Sequence, residues 1–403
     1  MLPGLEWLYV PVQGKVGVSV FFVLSGFVMS HVYYETEGFP ITWRNSLRFY
    51  ISRVTKIYPL HMLTFFLALP LGLNSETARV VVGYLPFHLT LTNLFSPVPD
   101  LGPSPNKVAW TLSCEMFFYL LTPPLFLAMH RLGRSKIWLL GLMLAAIAGL
   151  SLALQHRCNV YMTAPFRWAD YLAGVGTFLL YRRLRRALRI HPPALLIGGC
   201  LYFALLLAAH RSLETYVSIA LLMLPGSVLV VLGLGLLPQT RSWWLTSDSI
   251  VLLGNASFAL YIVHELCFRY GGVFMDRCGL AVPPRFTIVA VVLSFVLVQG
   301  LAVALHLLYE LPIQNKGRRW LARLLQVERG DAWFLSLRGD PSPLEVGNPG
   351  RERIRALHAF EHGVFCAPLP CHVFPCHASA GADHAPRDCR ISWHASPRRN
   401  PGP

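Results

Sequence analysis

Trp110-Thr-Leu-Ser-Cys-Glu115-Met-Phe-Phe-Tyr119-Leu-Leu-Thr-Pro-Pro124 opens a run of about twenty residues apolar enough to cross a bilayer, yet it carries a carboxylate little more than one helical turn from its start. A carboxylate at the centre of a spanning helix costs roughly 2.5–3.5 kcal/mol, somewhat less near an end. Such a residue faces a bundle interior or a wet cavity, and it marks a functional site by default. The rest of the chain can be asked what Glu115 works with.

Working outward, nine runs are long and apolar enough to span, since a spanning helix needs about 17–25 residues. They lie near Val16–Tyr34, Ile57–Leu73, Trp110–Met129, Ile137–Leu154, Phe166–Tyr181, Pro193–Ala209, Tyr216–Leu237, Ile250–Phe268 and Phe286–Leu308. A tenth run, Val80–Phe95, is short and broken by Gly83, Pro86, His88 and Asn93, and reads as interfacial or re-entrant. Charge supports the count. Lys and Arg gather in alternate loops, at Arg44 to Lys56, Arg131 to Lys136, Arg182 to Arg189, Arg241, and Lys316 to Arg323. The loops between carry far fewer, so the positive-inside rule places the rich set in the cytoplasm and the N-terminus outside. An external N-terminus without a signal sequence is awkward, and one more helix upstream would restore the simpler topology.

Composition agrees. Of 403 residues, 54% are hydrophobic and 14% are charged, against about a quarter charged in soluble domains. The fold class expected is an all-α, polytopic transmembrane bundle over residues 1–325, followed by a disordered tail rich in Pro, Arg, His and Cys over residues 326–403. The net charge of +15 is spread over short loops and forms no stripe, which argues against a nucleic-acid partner and for anionic lipid headgroups. Nine cysteines, with Cys114, Cys158, Cys200, Cys267 and Cys278 dispersed, imply no disulfide framework. In the tail, Cys366, Cys371-His372, Cys376-His377, His384 and Cys389 match no usual closed zinc spacing, so no metal is expected.

Four local patterns occur in order: Gly17-Val-Ser-Val-Phe-Phe-Val-Leu-Ser25-Gly26-Phe27, Arg53-Val-Thr-Lys56-Ile-Tyr58-Pro59-Leu-His61, the Glu115 stretch, and Gly254-Asn-Ala-Ser257-Phe-Ala-Leu-Tyr261-Ile-Val-His264. A fifth, Tyr309-Glu310-Leu-Pro312, follows the last span. Together they resemble acyltransferase family 3, the integral-membrane O-acyltransferases that include bacterial O-antigen acetylases, over about residues 14–325. The resemblance implies ten helices that carry an acyl group, acetyl in the simplest case, from cytoplasmic acyl-CoA to a hydroxyl of a carbohydrate or lipid-linked glycan. It implies acyl-CoA as co-substrate with no resident cofactor, and a multi-pass place in the cell inner membrane. The family's first helix carries the histidine thought to be the catalytic base, on an R-x10-H pattern, and this chain begins just after it. Either the true start lies upstream, or the chain is a truncated, inactive member. A secondary transporter is the rival from another class. No internal repeat is visible to favour it.

Acyl transfer to a hydroxyl needs a general base, an oxyanion donor and a place for the anionic donor. Arg48, Arg53 and Lys56 are expected at the cytoplasmic mouth of their span, where they would hold CoA phosphates. Ordinary positive-inside bias explains the same cluster. Glu115, His264, Arg167 and Asp170 are expected near the outer ends of their helices, building an acceptor chamber in which Glu115, His264 and Asp170 are the catalytic candidates. Glu115 would position or deprotonate a sugar hydroxyl; equally, it could be a packing carboxylate paired with Arg167. Asp170 is a candidate through the resemblance of Arg167-Trp-Ala-Asp170-Tyr-Leu-Ala-Gly174 to the family's acidic residue before a helix glycine. Ser25-Gly26 reads as a close-packing site more than a nucleophile. His61 and His31 are weaker bases, and Glu310 is expected to pair with a cytoplasmic arginine.

Overall fold

The structure, a computed structural model, describes residues 11–34, 43–72, 83, 85–95, 105–157, 159–185, 191–209, 216–237, 247–280 and 283–324. The expected tail, with its Cys and His residues, lies outside them.

Each of the nine apolar runs is helical. In chain order the helices are α1 (Pro11–Met29, continued as a π-helix over Ser30–Tyr34), α2 (Trp43–Gly72), the short α3 (Leu85–Leu89), α4 (Trp110–Leu132), α5 (Lys136–Leu154), α6 (Ala164–Leu184), α7 (Pro192–Ala209), α8 (Tyr216–Leu236), α9 (Asp248–Asn255), α10 (Ser257–Arg277), α11 (Thr287–Leu305, continued as a π-helix over His306–Glu310) and α12 (Leu311–Leu324). No strand occurs among the described residues. Four helical stretches there, Gly14–Tyr34, Trp43–Leu71, Lys107–Leu154 and Thr287–Gly317, are long and apolar enough to cross a membrane. The pair α9–α10, bent by 58°, adds a fifth. Lys107–Leu154 contains two of the expected runs. Among the described residues of the run at Val80–Phe95, Gly83 is helical, α3 follows, and a 3-10 turn closes it at Asn93–Phe95.

α1 is the central post, packed against α6 and α8. Two glycines make the α1–α6 contact possible. A Cβ on Gly26 would strike the Tyr171 carbonyl, and a Cβ on Gly174 would strike the Val23 carbonyl. The two backbones therefore touch, as small residues allow in membrane bundles. Around that crossing lie stacked aromatics: Trp168 on Tyr171 at 4.7 Å, with Phe22 and Phe118 edge-on at 5.1 Å.

At Pro124 a tyrosine closes the backbone hydrogen bond that proline opens. Pro124 lacks the N–H that would reach the Leu120 carbonyl, and the Tyr50 hydroxyl of α2 donates there instead, at 3.0 Å. That bond also fixes the register of α2 against α4. Among the described residues, α11 exposes Ile288, Leu293, Phe295 and Leu297, apolar side chains of the kind that meet lipid.

The π-helix after α11 corrects one expectation. Among the described residues, Glu310 meets no arginine. It is buried, with one oxygen 2.9 Å from His306 Nδ1 and the other accepting from Gln314 Nε2 at 2.8 Å. The positions i−4 and i+4 are its helical neighbours, so the carboxylate is satisfied locally. We predict that Glu310→Ala destabilises the fold by about 1–3 kcal/mol, because two buried polar partners lose their acceptor. The midpoint of denaturation in mixed detergent checks this.

Candidate active site

The carboxylate that organises the sequence is buried, at 4% exposure, and α4 carries its first partner. Tyr119, one turn on at i+4, donates its hydroxyl to Glu115 Oε2. The second partner comes from α2. The Arg53 guanidinium, 2% exposed, lies over the Tyr119 ring at 5.9 Å and over the Tyr33 ring at 5.7 Å. Its Nη2 donates to the Tyr33 hydroxyl at 3.1 Å and to Ser52 Oγ at 3.2 Å. Phe49 packs edge-on against both tyrosines, at 5.0 Å from Tyr33 and 6.0 Å from Tyr119, and closes the cluster. Arg53 and Lys56 are the cationic neighbours of Glu115, and Ser25 of α1 faces the same carboxylate without reaching good hydrogen-bond geometry.

This corrects the expected placement of Arg53. Sequence polarity put it at a cytoplasmic mouth and Glu115 near the opposite end. The antiparallel pairing of α2 with α4 instead brings the two into one cluster, because Arg53 lies well inside a 30-residue helix. The π-helix at the end of α1 completes it: the wider turn carries Tyr33 to Arg53, while Tyr34 receives Lys136 Nζ at 2.9 Å. Such π-segments are frequent at functional sites.

The most informative atom is Glu115 Oε1. It is buried and, among the described residues, has no hydrogen-bond partner. Buried carboxylate oxygens are ordinarily satisfied. A carboxylate with one oxygen anchored by a phenol and the other open is suited to accepting a hydroxyl proton.

The other expected members of an acceptor chamber divide into separate groups. Arg167 pairs with Asp170 of its own helix at 3.4 Å, and not with Glu115, which settles the packing alternative against that pair. Arg167 Nη2 also donates to Ser19 Oγ at 2.9 Å, and the guanidinium sits over Phe22 and Tyr161, at 5.2 and 5.0 Å. Asp170 is thus half of a buried ion pair at the α1–α6 contact. Burial pushes the Tyr161 hydroxyl, in the turn before α6, up to about 12 despite the nearby Arg167 charge. Cys114 bridges the two groups, with Glu115, Arg167 and Asp170 all as electrostatic neighbours.

His264 of α10 is half-buried, and its Nδ1 donates to the Tyr261 carbonyl at 2.6 Å. Tyr261 in turn meets Thr111 Oγ1 at 3.0 Å, one turn before Glu115. His61 is buried and donates from Nε2 to the His88 carbonyl at 3.0 Å, and His31 is enclosed by Phe27, Phe178 and Tyr181. Arg48 and Lys56 are half-buried on the face of α2 that also carries Ser52 and Arg53. No group of three or more metal-ligating side chains occurs among the described residues.

Sequence reasoning missed Tyr33 and gave Tyr119 no role. The spacing of Tyr119 from Glu115 was visible as i,i+4; the contribution of Tyr33 depends on a π-turn that no local pattern announces.

Comparison with known proteins bears on the family. The family model of the acyltransferase domain of acyltransferase family 3 matches residues 2–306. The chain is 28% identical to the acyltransferase MdmB of Streptomyces mycarofaciens over 294 residues, covering 66% of this chain and 72% of that one. It is 29% identical to the exopolysaccharide production protein ExoZ of Rhizobium meliloti over 326 residues, covering 76% and 91%. No solved structure matches. Because the match runs from before α1 through α11 and takes in every residue of the Glu115 cluster, the chain belongs to acyltransferase family 3 and is an acyltransferase.

Proposed function

We propose that the protein moves an acyl group, acetyl in the simplest case, from acyl-CoA to a hydroxyl of a carbohydrate or lipid-linked glycan, in the inner membrane with its arginine-rich loops cytoplasmic. The open, buried oxygen of Glu115 carries this reading. Glu115 Oε1 takes the proton of the acceptor hydroxyl as that oxygen attacks the thioester carbonyl carbon. The carbonyl becomes an oxyanion; the carbon–sulfur bond then breaks, and the leaving CoA thiolate takes the proton that Glu115 holds, which restores the carboxylate. Tyr119 fixes the carboxylate through its other oxygen, and Arg53 supplies the positive charge beside it that an oxyanion needs. Arg48 and Lys56, less buried than Arg53 on the same helix, are the candidates for the donor's phosphates. His264 and Asp170 stay candidates for shaping the acceptor side, Asp170 through its pair with Arg167.

The carbohydrate acceptor draws support from the exopolysaccharide relative, and the hydroxyl from the chemistry of a lone buried base. Membranes containing the protein, given acyl-labelled acetyl-CoA and a glycan acceptor, should transfer label to the glycan. Absence of label in any glycan fraction would refute the assignment. Arg48→Ala should raise KM for acyl-CoA about tenfold, the loss of one charge-assisted contact of ~1.5 kcal/mol, while kcat stays near the parent value; Lys56→Ala should raise KM similarly and also lower kcat, because Lys56 is a cationic neighbour of Glu115. An unchanged KM in either variant would move that residue away from the phosphates.

A further inference from the structure

α12 does not simply end the chain of helices. It lies back along α2, and between them runs a groove of about 620 Å³, within the ~300–1,000 Å³ of sites that hold small molecules. Gly317 closes its floor, since a Cβ there would come within 2.7 Å of Thr55 Cγ2. The walls are Tyr58 and Met62 from α2, Tyr309 and Ile313 from the other side, and Trp320 and Lys316 at the rim. The α2 residues that line it sit roughly 160° around that helix from Arg53, so the groove lies behind the Glu115 cluster and is not part of it.

Among the described residues, three of its hydroxyls already donate within the protein. Thr55 donates to the Ile51 carbonyl at 2.9 Å, Tyr58 to the Thr90 carbonyl at 3.1 Å, and Tyr309 to the Pro59 carbonyl at 3.3 Å. The tyrosines therefore present ring faces, and no carboxylate lines the cleft. What remain are the Lys316 ammonium and the Trp320 indole N–H, with exposed Arg319 one turn beyond Lys316 along α12. The cleft offers an apolar trough and a cationic rim. An apolar trough with a cationic end matches an aliphatic chain ending in a phosphate better than the polar pantetheine arm of the donor or a hydroxyl-rich glycan. Trp320, 58% exposed beside Lys316, has the amphipathic character of a membrane-interface anchor.

We infer that the α2–α12 groove binds an anionic phospholipid, with one acyl chain along Met62 and Ile313 and the phosphate at Lys316. Basic pockets between helices at an anionic leaflet bind such headgroups. The inference stands apart from the proposed reaction, and either can fail without the other. Native mass spectrometry of the full-length protein, with phosphatidylglycerol and phosphatidylcholine of identical chains in equal amounts, tests it. Phosphatidylglycerol should be retained in excess. The excess should fall about fivefold in Lys316→Gln and persist in Lys316→Arg. Glycerol 3-phosphate should not displace the lipid, because the chain supplies part of the binding. Phosphatidylglycerol brominated in its chain should quench Trp320 emission, taken as the difference from Trp320→Phe, more than brominated phosphatidylcholine does. Equal retention of the two lipids, an unchanged excess in a folded Lys316→Gln protein, displacement by glycerol 3-phosphate, or equal quenching would each overturn it.

Discussion

Glu115→Gln should lower the rate of acyl transfer about 10²–10⁴-fold, the range that a positioned general base supplies, while the protein stays folded. The amide keeps the size of the side chain, and its carbonyl still accepts from Tyr119, so the cluster with Arg53 has little reason to rearrange. What it loses is the open basic oxygen. KM for acyl-CoA should change little, because the phosphate candidates Arg48 and Lys56 are untouched, and the loss should fall on kcat. Label transfer in membranes, normalised to the amount of monodisperse protein, is the measurement. An E115Q protein as active as the parent would reduce Glu115 to a packing residue and end the proposed chemistry. Tyr119→Phe should lower kcat by a smaller factor of about ten, since it frees the carboxylate from one orienting bond without removing the base.

The second large effect is on stability. Gly174→Ala and Gly26→Ala should each destabilise the protein by about 3 kcal/mol, the upper end of what overpacking costs. In both cases the added methyl meets a backbone carbonyl of the facing helix, of Val23 or Tyr171, which cannot rotate away as a side chain would. Relief requires α1 and α6 to separate, and that opens the contact carrying the Ser19–Arg167–Asp170 group. Because the two glycines serve one crossing, the double substitution should cost less than the two single costs combined. Gly141→Ala is the control. A Cβ there meets nothing within 4 Å, so better helix propensity should leave stability unchanged or raise it by up to ~1 kcal/mol. Denaturation midpoints in a common detergent mixture rank the variants; a Gly174→Ala protein as stable as Gly141→Ala would show that the helices do not touch there.

The sequence by itself determined the helices. Apolar runs of spanning length have few alternatives in lipid, where every backbone polar group must be satisfied within its own segment. It also singled out Glu115, since a carboxylate in such a run carries a cost that packing alone does not explain, and its ordered motifs pointed to the family that comparison then showed. What only the tertiary structure decided was which charges meet. Loop charge sorts residues by side, and on that basis Arg53 and Glu115 belonged to opposite ends while Arg167 was the nearer partner. Antiparallel packing of α2 on α4, pinned by Tyr50 at the Leu120 carbonyl that Pro124 leaves open, slid Arg53 to the level of Tyr119. Asp170, one turn from Arg167 on the same helix, took that arginine first. Depth along a helix is set by its neighbours' register, and a register between helices far apart in sequence leaves no local pattern to read.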